Sequence, residues 1–313
     1  MKLVTYVAPT PFGEVDRLGA IDGERVVDLS ASAEARLRDG GASAAAELAR
    51  ALVPPSLLEL LRREERGMEE ARAALEFART TGRCSVALEG VRLRAPLPRP
   101  NSIRDFMLVE EHVRNSGLAV PPEWYEIPAY WKGNPDAVFG PGDDIRWPPY
   151  TEKLDYELEM GLVIGRRAHR VAASDSTAYV AGYTIFNDWS ARDIQMREMK
   201  IMLGPGVSKD FATSIGPCLV TPDELGDPKD VQMQTRVNGE VWSSGTVGAM
   251  QFAFPELIEH LSQEQTLQPG DILGSGTVGG GCGLELDRWI QPGDRIELEA
   301  AGIGVLDNRV VRD

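Results

Sequence analysis

Two acidic side chains one residue apart, Glu157 and Glu159, are the first candidates for chemistry in this sequence. They lie in the segment 156–164, whose composition and alternation predict a β-strand. Because side chains alternate between the faces of a strand, both carboxylates point to one side, about 7 Å apart. The intervening Leu158 and Met160 point to the other side and are expected in a core. On spacing alone, the competing interpretation is a solvated strand face.

A second segment, residues 184–195, supplies a further carboxylate. It starts as an apolar strand, and Asp188 lies where that strand stops. If the two strands are neighbours, Asp188 can meet Glu157 and Glu159. Three ionised carboxylates so close together repel one another unless a cation neutralises them. Carboxylate oxygens are hard ligands, so Mg²⁺, Mn²⁺ or Ca²⁺ fits better than Zn²⁺.

Taken together, residues 155–160 and 187–195 closely resemble the metal-site signatures of the fumarylacetoacetate hydrolase family. The resemblance runs from about Asn101 to the C-terminus. It implies a divalent-metal-dependent hydrolase of aromatic catabolism that cleaves a carbon–carbon bond in a β-diketo acid, such as an acylpyruvate or a fumarylacetoacetate-like compound. The residue after Phe106 is Met107, where the fumarylacetoacetate enzyme has a tyrosine that touches its substrate, so the acyl group stays open.

The resemblance also implies a site, residue by residue. Its implied metal ligands are Asp105, Glu157, Glu159 and Asp188, and its implied catalytic residues are His112, Glu285, Lys209 and Gln195. Thr277 and Gln195 would bind the substrate, and Thr213 would support the metal from behind its ligands. The implied cofactor is Mg²⁺, with Mn²⁺ or Ca²⁺ as alternatives.

The mechanism expected from these residue types uses an activated water. His112, oriented by Glu285, takes a proton from water, and the resulting hydroxide attacks a carbonyl. Lys209 and Gln195 hold the developing oxyanion. A short helix is predicted from residue 103 to residue 115, which would bring Asp105 and His112 to one helix face.

Other residues near these segments have two interpretations. Arg192 and Asp193 are predicted to form a structural ion pair or to support the metal ligands. Tyr130 and Trp131 would either line the pocket or pack in the core. The glycine run 279–281 is predicted to form a flexible edge of the site. The two remaining histidines are predicted to be structural: His169 and His260.

Length, charge and cysteine count limit the expected partners and location of the protein. A chain of 313 residues with a net charge of −15 repels nucleic-acid phosphates and anionic lipid, so neither is an expected partner. Its three cysteines are too few for a disulfide framework, and we predict a cytoplasmic protein that binds a small keto acid. Family members are commonly dimers, so a homodimer is expected.

The fold expected from the resemblance is α+β and β-rich: a mixed β-roll catalytic domain at residues 96–313 and a small N-terminal α/β domain at residues 1–95. The proline-rich segment 94–101 marks the predicted boundary. Helices are predicted for residues 43–53, 56–80 and 255–261, and a hairpin with an Asn-Gly turn for residues 236–241.

Several functions share this set of residues. Decarboxylation of oxaloacetate, hydration of an enoic acid and keto–enol isomerisation all use a metal-stabilised enolate. The pairing of His112 with Glu285 favours hydrolysis without excluding them. A two-metal phosphodiesterase and a structural Ca²⁺ site in a binding protein are the alternatives from other classes.

Overall fold

The computed structural model describes residues 1–312. Its strands are β1 (Lys2–Thr10), β2 (Gly13–Asp22), β3 (Arg25–Asp28), β4 (Ser85–Ala87), β5 (Ser102–Phe106), β6 (Tyr130–Gly133), β7 (Val138–Phe139), β8 (Asp144–Arg146), β9 (Leu154–Asp155), β10 (Leu158–Ile164), β11 (Val180–Asp188), β12 (Ser190–Ala191), β13 (Thr213–Val220), β14 (Met233–Val237), β15 (Glu240–Gly245), β16 (Asp271–Gly274), β17 (Arg295–Ala300) and β18 (Gly304–Val311). Its α-helices are α1 (Leu29–Asp39), α2 (Ala45–Leu52), α3 (Leu57–Leu61), α4 (Glu64–Thr81), α5 (Glu110–Asn115), α6 (Arg192–Glu198), α7 (Pro222–Leu225), α8 (Phe254–Ser262) and α9 (Gly283–Leu286).

Within residues 1–312 these strands form an eleven-stranded sheet, a five-stranded sheet and a two-stranded ribbon. The order in the large sheet is β4-β3-β2-β1-β13-β11-β10-β16-β5-β6, with β7 paired to β13. Its neighbours are antiparallel except for β16 with β5 and β13 with β7, which are parallel. The second sheet has the order β15-β14-β17-β18-β8. The predicted mixed, β-rich fold is confirmed.

The two faces of the large sheet bury different cores. On one face, helices α1 to α4 pack against strand residues such as Phe186 and Ile272, and we call this the helix-side core. On the other face, Leu158, Met160 and Leu162 of β10 pack with residues of the five-stranded sheet, as the alternation predicted. Full burial of a side chain of this size contributes about 1.5–3 kcal/mol, so both faces stabilise the sheet.

The N-terminal strands belong to the same sheet as the rest of the chain. Strand β1 pairs with β13, with Lys2 opposite Val220 and Leu3 opposite Leu219. Residues 1–95 therefore extend the large sheet, and the division at residues 95 and 96 stays a prediction. Among the residues that the structure describes, no helix is long and apolar enough to cross a membrane.

The predicted helix from residue 103 to residue 115 is wrong in its first half. Residues 102–106 form β5, which pairs with β16 on one side and with β6 on the other, and the helix begins at Glu110. Buried pairing on both sides overrides local helix propensity here. Asp105 and His112 consequently do not share a helix face. The predicted helix 56–80 is likewise interrupted, since α3 ends at Leu61 and α4 begins at Glu64.

Two local predictions are confirmed. The hairpin between β14 and β15 turns at Asn238 and Gly239, which have φ of 52° and 83°. Positive φ at both positions is what a two-residue hairpin turn requires. The helix predicted near residues 255–261 is α8.

Candidate metal and active site

The candidate site lies on the face of the large sheet that carries the helix-side core. Along four strands, a residue of that core is separated by two positions, on the same face, from a polar residue or a glycine. These pairs are Ile103 and Asp105 in β5, Phe186 and Asp188 in β11, Ile215 and Thr213 in β13, and Ile272 and Gly274 in β16. Glu159 of β10 lies opposite Phe186 and faces the same side. At the end of each strand nearest the site, the apolar residues on this face give way to polar residues or glycine. The predicted carboxylates therefore lie together on one surface.

Three of the predicted ligands form a compact group. Carboxylate oxygens of Asp105, Glu157 and Glu159 all lie within 4.8 Å of one another. The three residues are buried, with exposed fractions of 4%, 3% and 0%. Burial of this kind excludes the solvated strand face that spacing alone allowed.

Some oxygens of this cluster have no hydrogen-bond partner among the described residues. Asp105 Oδ1, Glu159 Oε2 and Asp188 Oδ1 are buried without a hydrogen-bond partner among residues 1–312. Buried polar atoms are normally paired, and these unpaired oxygens are the atoms that could ligate a cation. Gly274 keeps the space open: a Cβ there would lie 2.3 Å from Asp105 Oδ1 and 3.2 Å from Glu159 Oε2.

Two buried cations partly neutralise the cluster. Lys209 Nζ donates to Glu157 Oε2 at 2.6 Å and to Asp188 Oδ2. Arg192 Nε donates to Asp155 Oδ2 at 2.8 Å, and its Nη1 lies 2.8 Å from Glu157 Oε1. Five buried carboxylates, counting Asp155, thus share two side-chain cations within the described chain. Buried charge of one sign is costly, so a further cation would stabilise the site.

The environment moves the pKa values of these acids in opposite directions. Burial raises the pKa of Glu159 well above its ordinary value, and the neighbouring carboxylates raise it further. Burial also raises the pKa of Asp188, against the opposing charge of Lys209. For Glu157 burial acts in the same sense, but Lys209 and Arg192 overcome it and hold the pKa well below its usual range.

His112 and Glu285 form a pair beside the carboxylates. His112 Nδ1 lies 2.7 Å from Glu285 Oε1, and His112 Nε2 lies 3.9 Å from Glu157 Oε1. Glu285 also accepts backbone hydrogen bonds from Gly280 at 2.7 Å and Gly281 at 3.1 Å. Burial alone would raise the pKa of Glu285, but the hydrogen bond and charge of His112, together with the hydrogen bonds from Gly280 and Asn115, outweigh burial and lower the pKa. Since an ionised carboxylate only accepts, Nδ1 carries the imidazole proton and Nε2 is free to act as a base.

A cavity of about 210 Å³ joins these groups. His112, Lys209, Gln195 and Thr277 line it together with Asp105, Glu157 and Glu159, whereas Asp188 does not line it. Thr277 Oγ1 donates to Glu159 Oε1 at 3.2 Å. Gln195, on α6, accepts from Arg192 Nη1 through its Oε1 at 3.1 Å, which leaves its amide nitrogen as a donor.

The remaining predicted site residues lie near the cavity, but not all of them line it. Thr213 is the Cα partner of Asp188 across β11 and β13, and it is buried. Glu285 lies behind His112. The glycine run 279–281 was predicted to be a flexible edge, and two of its backbone amides instead orient Glu285. His169 lies elsewhere, with its Nδ1 3.5 Å from Thr266 Oγ1.

Sequence reasoning assigned no role to Asp155 of this site. Arg192 and Asp193 do not form an ion pair with each other: Asp193 accepts hydrogen bonds from Thr151 Oγ1 and from the Glu152 amide. Arg192 pairs with Asp155 and with the predicted ligand Glu157, as the alternative interpretation expected. Asp155 also accepts from the Gly283 and Leu284 amides, so it fixes the start of the helix that carries Glu285. Asp155 is the first residue of the 155–160 signature, and this position could have indicated that it has a role in the site. Tyr130 and Trp131, for which pocket lining was one of two interpretations, both line the cavity.

This donor set fits a divalent cation. Asp105, Glu157 and Glu159 offer hard oxygen ligands in one group, and Asp188 has a free oxygen on the same face. Such a set suits Mg²⁺, Mn²⁺ or Ca²⁺. The unpaired buried oxygens and the gap at Gly274 are the observations that support this fit.

Comparison with known proteins gives a consistent result. Residues 102–311 match the family model described as the C-terminal domain of fumarylacetoacetate (FAA) hydrolase. The chain is 33% identical to oxaloacetate tautomerase YisK of Bacillus subtilis, over 93% of this chain and 94% of that protein. It is 33% identical to the mitochondrial oxaloacetate tautomerase FAHD2A of Bos taurus, over 99% of this chain and 92% of that protein.

A solved structure shows the same fold. The structure of maleylpyruvate hydrolase from Sphingobium sp. SYK-6 in complex with manganese(II) ion and pyruvate matches with a TM-score of 0.73 and 25% identity. The match covers 100% of this chain and 99% of that one. Similar proteins therefore include both tautomerases and a hydrolase.

Proposed function

We propose, from the premise that this chain belongs to the fumarylacetoacetate hydrolase family, that it is a divalent-metal-dependent enzyme that interconverts the keto and enol forms of a short 2-oxo acid. One observation carries the proposal: buried, incompletely paired carboxylates and an imidazole with a free Nε2 face one cavity. Oxaloacetate is the first substrate to test, because two relatives that align along nearly the whole chain are named for it.

The cation site would be made by Asp105, Glu157, Glu159 and Asp188. A divalent cation bound there would polarise a carbonyl oxygen and so acidify the adjacent C–H group. Manganese(II) in the related hydrolase supports a divalent ion without fixing its identity. Mg²⁺ is our first choice, with Mn²⁺ next and Ca²⁺ as the third candidate.

His112 would move the proton. Its Nε2 takes a proton from the carbon next to the carbonyl, and the resulting imidazolium gives a proton to the carbonyl oxygen, so that the keto form becomes the enol with no atom lost. Glu285 stabilises the imidazolium that exists between the two transfers. The reverse sequence returns the enol to the keto form.

Lys209 and Gln195 would stabilise the oxygen. Burial acts to lower the pKa of Lys209, but Asp188 and Glu157 outweigh it and raise the pKa, so the ammonium stays charged. Both side chains line the cavity and can donate hydrogen bonds to negative charge developing on oxygen. Thr277, held by Glu159, would contact the substrate from the side of β16.

Hydrolysis of a carbon–carbon bond in an acylpyruvate is the second candidate. The pairing of His112 with Glu285 favours it, since an oriented neutral imidazole can take a proton from water as readily as from carbon. The likeness to a maleylpyruvate hydrolase supports it as well. It requires room for water beside the substrate, which tautomerisation does not.

One experiment separates the two reactions. Metal-stripped protein, with and without Mg²⁺ or Mn²⁺, is given the enol form of oxaloacetate and, separately, acetylpyruvate. Metal-dependent loss of enol absorbance with oxaloacetate conserved supports tautomerisation. Release of pyruvate and acetate from acetylpyruvate supports hydrolysis, and release of CO₂ from oxaloacetate would indicate a decarboxylase. Absence of all three would refute the proposal.

A further inference from the structure

Trp131 contacts a predicted metal ligand from the neighbouring strand. It lies in β6, where its Cα is the direct partner of Asp105 in β5. Directly opposite residues of an antiparallel pair point to the same face, so the indole is on the face that carries the carboxylates. Its Nε1 donates a hydrogen bond of 3.1 Å to Asp105 Oδ2.

This hydrogen bond leaves the two oxygens of Asp105 in different situations. Oδ2 is engaged by the indole, and Oδ1 has no hydrogen-bond partner in the described part of the chain. The terminal torsion of an aspartate is soft, so the carboxylate plane is poorly fixed by its own rotamer. A donor on one oxygen fixes that plane and directs the other oxygen, Oδ1, toward the gap at Gly274 beside Glu159.

The same indole also faces the buried ammonium group. Lys209 Nζ lies 5.7 Å from the centroid of the Trp131 ring, within the range of a cation–π contact. Trp131 lines the cavity as well. The ring therefore lines the cavity and contacts both the predicted ligand Asp105 and the cation Lys209. Its N–H donates to the ligand.

We propose that Trp131 is a positioning residue for the divalent cation: its indole N–H holds Asp105 in the orientation in which Oδ1 is a ligand. The proposal rests on the cation site of the proposed function and adds to it a residue outside the ligand set. Groups that hydrogen-bond to ligating carboxylates set ligand orientation, and their loss typically weakens metal binding about 10–100-fold.

Asp105 Oδ2 requires a hydrogen-bond donor at position 131, and an aromatic ring without an N–H group does not supply one. Phenylalanine at position 131 would keep an apolar ring against Lys209 but would leave Asp105 Oδ2 buried without a partner. The carboxylate could then rotate and accept from Lys209, which already donates to Glu157 and Asp188. Such a rotation would withdraw Oδ1 from the position next to Glu159.

The test is calorimetric titration of Mn²⁺ into the metal-stripped full chain, with no substrate present. Trp131→Phe is expected to raise the Kd about 10–100-fold relative to the wild type. Trp289→Phe is the matched control, because it also removes an indole donor to an aspartate, Asp287, at a position outside the cavity. The control is expected to leave the Kd unchanged.

A double-mutant cycle identifies the route of the effect. If Trp131 acts through Asp105, Trp131→Phe causes no further loss when Asp105 is already replaced, as Asp105→Asn. Trp131→Met, which fills the space without a donor, serves as the second variant should the phenylalanine protein fail to fold.

The outcomes are distinct. An unchanged Kd in Trp131→Phe, or an equal loss in the Asp105→Asn background, overturns the role of Trp131 while the cation site stands. A wild-type protein that binds no Mn²⁺ overturns the cation site and, with it, the proposed function. A rise in Kd that is confined to Trp131 variants with an intact Asp105 supports the proposal.

Discussion

His112 Nδ1 lies 2.7 Å from Glu285 Oε1, although 173 residues of sequence separate the two side chains. The contact decides which imidazole nitrogen faces the cavity as a base. Everything proposed for proton transfer depends on that tautomer, because a protonated Nε2 cannot accept a proton.

Replacement of either member of this pair should slow the reaction without loss of the cation. His112→Gln is expected to lower kcat about 10²–10⁴-fold, the usual contribution of a general base. Glu285→Gln offers an amide donor to Nδ1 and so favours the wrong tautomer. The double variant should be no slower than the slower single variant, since the two residues act as a unit. Steady-state rates and Mn²⁺ titration check this, with exposed His260→Gln as the control. Unchanged kcat in His112→Gln would remove it as the base.

Addition of a methyl group at residue 274 should weaken cation binding. In Gly274→Ala the new Cβ would lie 2.3 Å from Asp105 Oδ1, so the carboxylate has to move. We expect the Kd for Mn²⁺ to rise at least about tenfold and stability to fall by about 1–3 kcal/mol. Gly161→Ala, on the adjacent strand, is the matched control, because its Cβ meets no atom of the described residues closer than 3.4 Å. Equal affinities for the two variants would contradict the assigned position of the cation.

Stabilisation of the protein by metal should grow with pH. The raised pKa values of Glu159 and Asp188 mean that, without metal, these groups favour the folded state at low pH. That contribution is lost as pH rises through their folded pKa values, when the ionised carboxylates repel one another. Glu157 has a lowered pKa and stays ionised throughout, so it adds no slope.

The measurement is the rise in Tm caused by a fixed Mn²⁺ concentration at about pH 5.5 and about pH 8, a window that lies above the ordinary range of carboxyl pKa values. The rise should be larger at the higher pH. Glu159→Gln should reduce the difference between the two. A rise in Tm that is independent of pH in the wild type would show that protons and the metal do not compete for these carboxylates.

Loss of the buried ammonium group should destabilise the metal-free protein most. Lys209→Met leaves Glu157 and Asp188 without their shared donor. Breaking a buried ion pair costs about 3–5 kcal/mol, and Mn²⁺ should restore part of the free energy of unfolding. Exposed Lys132→Met, next to Trp131 in β6, is the control. If Lys209→Met is as stable as Lys132→Met without metal, the ammonium does not neutralise the cluster.

Much of the site could be predicted because it is encoded in short segments. Alternation along residues 157–160, at the start of β10, separates Glu157 and Glu159 from Leu158, and the end of β11 marks Asp188. Both patterns depend on local backbone periodicity, which can be read without knowing which strands are neighbours.

The parts that could not be predicted depend on long-range pairing. Asp105 lies in a strand because β16, some 170 residues away, pairs with it, and local pattern alone favoured a helix. Arg192 pairs with Asp155 and not with the adjacent Asp193, because the two-stranded ribbon of β9 and β12 places Asp155 beside Arg192. The contact of Trp131 with Asp105 follows from strand register, which sequence alone does not specify.

The most direct test of the account is exchange of the C3 protons of oxaloacetate for deuterium in D₂O, followed by NMR with and without Mg²⁺ for the wild type and for His112→Gln. The account predicts exchange by the wild type, above the rate of Mg²⁺ alone, that requires Mg²⁺ and is lost in His112→Gln. Exchange that persists without metal, or that His112→Gln leaves at the wild-type rate, would contradict it.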